Sequence, residues 1–194
     1  MLDSAKYYLD RSKANRQEKF NTLIHYYFNK KEYALLVSIA LAPKEIQDAW
    51  TAYRIGEAAY KNKNLSKALS YYQQATSLKP YSLIFQEKLG STYAQLGQLS
   101  AAEKVFNFIL KEDPSRKMAL ANLGLIKAQQ GKVTQALLLY NKALALDPDY
   151  RNALLNKIGL LLQIGRSSEA QPIIQHLIKK HPNYQAILKQ QGIL

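Results

Sequence analysis

The chain has 194 residues, 47% of them hydrophobic, which is enough for a substantial core and too apolar for a disordered segment. It contains no cysteine, and that excludes disulfides, thiol nucleophiles, thiolate zinc sites and c-type haem attachment. Lys and Arg outnumber Asp and Glu by 27 to 14, a formal charge of +13 that favours acidic partners.

At the amino terminus, Met1, Leu2, Asp3 and Lys6 do not follow the basic-then-apolar order of an export signal. No run approaches the roughly 18 consecutive apolar residues of a membrane span. A cytoplasmic location is expected, or a periplasmic one if the chain is cut from a longer exported precursor. Residues 1–48 form the first region. Neither Gly nor Pro occurs before Pro43, so nothing interrupts helix formation. A short amphipathic helix is expected over 5–13. A degenerate hairpin is expected over 15–42, with Phe20, Leu23, Tyr27, Tyr33, Leu36 and Ala40 at helical spacing and Asn29, Lys30 and Lys31 as the turn. One long helix over 3–28 stays open as the alternative.

From residue 49 a period of 34 sets in. Pro80, Pro114, Pro148 and Pro182 keep it, as do Ala68, Ala102, Ala136 and Ala170; so do Gly97, Gly131 and Gly165, and Gly56, Gly90 and Gly124. Within the second period Leu89, Tyr93 and Leu96, then Leu99, Ala102, Phe106 and Ile109, follow the three-and-four rhythm of amphipathic helices. Gly97, Gly131 and Gly165 fall between the two apolar runs, where a helix end needs a residue tolerant of the left-handed conformation. Proline closes each period because it cannot continue a helix. Each period therefore reads as two antiparallel helices, and such a hairpin buries its apolar face only against its neighbours. The four repeats are 49–82, 83–116, 117–150 and 151–184, and 185–194 restarts the pattern as a partial repeat or capping helix. Two departures stand out. Lys127 sits where the pattern has tyrosine, which suggests a looser, more exposed inter-helix contact. In the fourth repeat the Leu-Gly pair becomes Lys157-Ile158 with Gly159 one residue late, which suggests a local adjustment of its first helix.

These residues resemble the tetratricopeptide repeat family, whose pattern runs Leu-Gly, Tyr, Gly, Ala, an aromatic, Ala and Pro. The first repeat has Ile55-Gly56, Ala68, Tyr72, Ala75 and Pro80; the second Leu89-Gly90, Tyr93, Gly97, Ala102, Phe106 and Pro114; the third Leu123-Gly124, Gly131, Ala136, Tyr140, Ala143 and Pro148. The resemblance covers 49–184. It implies an all-α fold, an α-α superhelix built as a right-handed solenoid of antiparallel helix pairs, whose first helices line a concave peptide-binding groove.

On that implied face, unit position six reads Arg54, Lys88, Asn122 and Asn156, and position thirteen reads Lys61, Gln95, Gln129 and Gln163. One end is basic and the other rich in carboxamides, which both donate and accept hydrogen bonds and so suit an extended backbone. Trp50, Tyr53 and Tyr60 join the basic end, where aromatic rings beside cations make anchor pockets. Trp50 can equally pack against the preceding hairpin. The family's carboxylate clamp for chaperone tails is not matched, because its positions hold Tyr53, Glu57 and Lys88, or Glu87 and Ser91 with Asn122 alone agreeing.

No enzymatic constellation is seen. His176 and His181, five apart, do not share a helix face and read as a solvated basic tail with Lys179 and Lys180. Glu112, Asp113, Asp147 and Asp149 flank prolines as turn residues. The expected function is a non-enzymatic scaffold that binds an extended, acidic protein segment, with no cofactor, no metal and no small-molecule substrate. A structural or self-association module of a larger, cell-envelope assembly is the alternative, including a homo-oligomer. Nucleic acid ranks last, since the lysines are scattered and no nucleic-acid motif appears.

Overall fold

Helix formation begins where a side chain can satisfy the first free backbone N–H groups. In the computed structural model, which describes residues 15–40, 42–190 and 192–193, that happens first at Asn15. Its side chain accepts from the Glu18 N–H while Glu18 reaches back to the Asn15 N–H, a reciprocal capping box. The helix it opens, α1 (Arg16–Asn29), therefore starts at the cap, and the alternative of one continuous helix over 3–28 is set aside. The helix expected over 5–13 lies outside the described residues.

The chain divides into two compact units, Met1–Ala102 and Glu103–Leu194. Ten further α-helices follow α1 among the described residues: α2 (Tyr33–Ile39), α3 (Ala49–Lys61), α4 (Leu65–Leu78), α5 (Leu83–Gln95), α6 (Leu99–Glu112), α7 (Lys117–Gln129), α8 (Val133–Leu146), α9 (Arg151–Gln163), α10 (Ser167–Lys180) and α11 (Tyr184–Gln190). Among them α1 with α2, α3 with α4, α7 with α8 and α9 with α10 pack as consecutive pairs, the all-α hairpin architecture that the repeat implies.

In the first unit α1 and α2 pack on α3, α3 pairs with α4, and α4 packs on α5. Asp48 caps α3 through the Thr51 N–H at 2.6 Å, and Asn64 caps α4 through the Lys67 N–H at 3.1 Å. The inter-helix turns pass through the left-handed region. Lys31 and Lys63 adopt φ of 59° and 58° there, and Gly97 adopts 73°. The bond from the Gln98 N–H to the Tyr93 carbonyl, 2.9 Å, then closes the Gly97 turn in the Schellman manner.

The second unit repeats the device at Gly131 and Gly165, with φ of 73° and 76°. There α7 pairs with α8, α9 with α10, and α9 also touches α7, so first helices of successive hairpins lie side by side. Ala136, Tyr140 and Ala143 on α8 and Ala170, Ile174 and Leu177 on α10 form the buried stripes. Leu188 of α11 joins the last of these clusters.

Three expectations need correction. The first helix of the fourth repeat, α9, is regular, and the change lies in the side chains. Where α7 has Gly124 beneath the Tyr140 ring, α9 has Ile158 in the same buried cluster as Ile174, so a small–large pair becomes two of intermediate size. The contact at Lys127 is not loose. Its side chain, 12% exposed, pairs through the ammonium with Glu103 on α6, which also accepts from the Gln130 amide at 2.9 Å. The histidines are solvated but partnered: His176 and Lys180, 39% and 47% exposed, both meet Asp149, at 2.8 and 2.9 Å, and the His181 Nε2 is buried.

The bonds from Lys127 and Gln130 hold the Glu103 carboxyl below the usual glutamate range. Its stabilisation is therefore complete above the unfolded-state value and is lost as pH falls through the lower folded-state value. The urea-stability difference between the native chain and Glu103→Gln is expected to shrink on acidification across that window, and a pH-independent difference would refute this.

Candidate functional site

The first-helix face of the first unit is made by α3 and α5. Trp50, 40% exposed, meets Phe85 edge-on with ring centroids 4.9 Å apart and Tyr53 at 5.6 Å, while Tyr53 stacks on Phe85 at 5.0 Å. Trp50 thus packs toward Phe85 of α5, the next first helix. Burial first, and then the Glu57 and Glu87 carboxylates, push the Tyr53 phenol up to about 12. Tyr60 accepts a bond from the Gln95 side-chain amide, which joins two expected site residues across the helices.

The basic ladder here is less free than its composition implies. Lys88 binds Glu57, with N–O distances of 2.9 and 3.1 Å, and the buried Tyr72 hydroxyl donates to the same carboxylate. Burial, followed by this bond to Glu57, raises the Tyr72 phenol above its ordinary value. Arg54 and Lys61 form no ion pair among the described residues and are the cations left on this face.

In the second unit α7 and α9 form the corresponding face. Three expected residues, Gln129, Asn156 and Gln163, converge on an open depression of about 410 Å³, with Leu125, Gly159 and Tyr140 among its lining. Asn122 is not part of it. Its amide nitrogen turns back to the Met118 carbonyl, 3.0 Å away in its own helix. None of the lining residues is charged.

Sequence reasoning missed Tyr140 and Gly159. Tyr140 is fully buried and its hydroxyl has no hydrogen-bond partner among the described residues; burial raises its phenol above the ordinary value. Gly159 lies within α9, and a Cβ there would meet nothing within 4 Å. Position nine of the repeat, Glu57, Ser91, Leu125 and Gly159, holds the signal, because only the first can accept from a buried phenol as a carboxylate. Among the described residues no group of three or more His, Cys, Asp or Glu could hold a metal, and no helix is long and apolar enough to cross a membrane.

Three tetratricopeptide repeat models match the sequence, over residues 51–82, 87–151 and 127–191. Among solved structures, MamA 41-end from Desulfovibrio magneticus RS-1 superposes with a TM-score of 0.74 at 14% identity, covering 87% of this chain and 96% of that one. The TPR domain of Arabidopsis OM64 gives 0.55 at 21% identity, over 58% and 93% of the two chains. The first TPR of Spaghetti (RPAP3), bound to the HSP90 peptide SRMEEVD, gives 0.57 at 20% identity, over 61% and 94%. At these identities the likeness is one of fold. No curated protein matches the sequence significantly.

Proposed function

Because this chain belongs to the tetratricopeptide repeat family, we propose that it is a non-enzymatic scaffold whose first-helix faces bind an extended segment of a partner protein. The observation that carries this reading is the convergence of Gln129, Asn156 and Gln163 on one open depression. Carboxamides on a rigid helix face can bond the donors and acceptors of an extended backbone alike. The Spaghetti domain, with the same fold, holds a peptide.

An acidic segment is favoured by the charge of +13 and by Arg54 and Lys61, which have no counter-ion among the described residues. Lys88 contributes less, because Glu57 already neutralises it. The Trp50–Tyr53–Phe85 cluster offers an apolar anchor for the same segment in the first unit.

Short peptides selected from a displayed random library supply the test, with affinity measured by fluorescence polarisation. Asn156→Ala combined with Gln163→Ala is expected to weaken binding about tenfold or more, since each lost bond is worth roughly 0.5–1.5 kcal/mol. The urea midpoint should not change. Equal affinity for the native chain and the double variant would place the site elsewhere.

A further inference from the structure

Two equivalent buried tyrosines in this chain are treated differently. A Cβ on Gly56 would stand 2.8 Å from the Tyr72 ring, and one on Gly124 would stand 2.6 Å from the Tyr140 ring, so both rings cross the first helix in the same way. The Tyr72 hydroxyl then meets Glu57, one residue after its glycine, and Glu57 meets Lys88 of the next first helix. In the second unit the residue after the glycine is Leu125, which accepts nothing, and the counterpart of Lys88 is Asn156. The phenol and the carboxamide remain, and the acceptor between them is missing. A buried donor without a partner calls for an explanation.

Gly159 supplies a second, independent observation. Glycine inside a helix is unfavourable relative to alanine, and is ordinarily retained where a close approach demands it. No close approach exists at Gly159, because its Cβ direction is open. What the missing side chain does is leave the wall of the depression open beside Asn156 and Tyr140.

We propose that this depression is a subsite for a glutamine or asparagine side chain of the bound segment, which parts the lining side chains over the Tyr140 hydroxyl so that its carbonyl accepts from it. The inference rests on the reading of the first-helix face as the peptide site. A carboxylate suits the place poorly. Its counterpart Glu57 has Lys88, whereas no lining residue here carries a charge, and an unpaired carboxylate would be desolvated without compensation. A carboxamide needs no counter-ion. Gln129, Asn156 and Gln163 can take its N–H groups and complete the acceptor side, and a side chain reaches the floor of the depression where a backbone would stay at its rim.

The test is a ¹H–¹⁵N NMR titration of the full chain with propionamide, propionate and N-methylacetamide. Propionamide is expected to shift the side-chain amides of Gln129, Asn156 and Gln163 saturably. In Tyr140→Phe the dissociation constant should rise at least fivefold, and in Gly159→Leu, which fills the opening, the saturable shifts should vanish. Helicity and urea midpoints should show both variants folded. Propionate should bind at least tenfold more weakly than propionamide. No saturation with propionamide, an unchanged response in both variants, or equal binding of propionate overturns the subsite. Equal binding of N-methylacetamide overturns its assignment to a side chain. If selected peptides bind through Asn156 while propionamide shifts nothing, the subsite fails and the peptide face stands. Saturable propionamide with no peptide bound at this face leaves an amide pocket and removes the broader reading.

Discussion

Tyr72→Ala is expected to lower the stability of the folded chain by about 3–5 kcal/mol, the range for removing a fully buried aromatic ring. Tyr72 is entirely buried, flanked on α4 by the equally buried Ala68 and Ala75, and lies so close to Gly56 that α3 and α4 touch through it. The ring also carries the hydroxyl that holds Glu57 in place for Lys88. Tyr72→Phe separates the two contributions. It keeps the packing and removes one bond to a buried carboxylate, with an expected loss of roughly 1–3 kcal/mol. A cycle with Lys88→Ala should show coupling, because both groups serve the same carboxylate. Urea denaturation measures all four species, and additive losses would show that the network is not a unit.

The glycines of the second unit give the other large effect, and its sign reverses between two neighbouring first helices. Gly124→Ala sets a methyl group 2.6 Å from the Tyr140 ring, so ring and helix must part, at an expected cost of about 1–3 kcal/mol. Gly159→Ala meets nothing and should stabilise by roughly 0.5–1 kcal/mol through helix propensity alone. The clash can be checked internally: in a Tyr140→Leu background the penalty at residue 124 should fall. A stabilising Gly124→Ala in the native background would mean that the ring does not lie on the helix as described.

These contrasts also show what the sequence made legible. The period of 34 in Gly, Ala and Pro determines helix pairs because each residue type answers a local demand: left-handed turns at Gly97, Gly131 and Gly165, close packing at Ala68, Ala102, Ala136 and Ala170. Such demands are met within one hairpin, and periodicity exposes them. The site depends on contacts between helices, where one side chain alters the meaning of another. Lys88 looks like a free cation until Glu57 is found beside it, and Asn122 looks like a ladder rung until its amide turns back to Met118. The ion pair that secures Lys127 was hidden for the same reason, since Glu103 lies 24 positions earlier in another helix. Gly159 reads as a misplaced family glycine, and only the space around it gives it a separate role.

Solving the chain with the tightest selected peptide bound tests the peptide face most directly. The peptide should run along α7 and α9, with its polar atoms within hydrogen-bond distance of Gln129, Asn156 and Gln163. A peptide seated instead on the second helices α8 and α10 would contradict it.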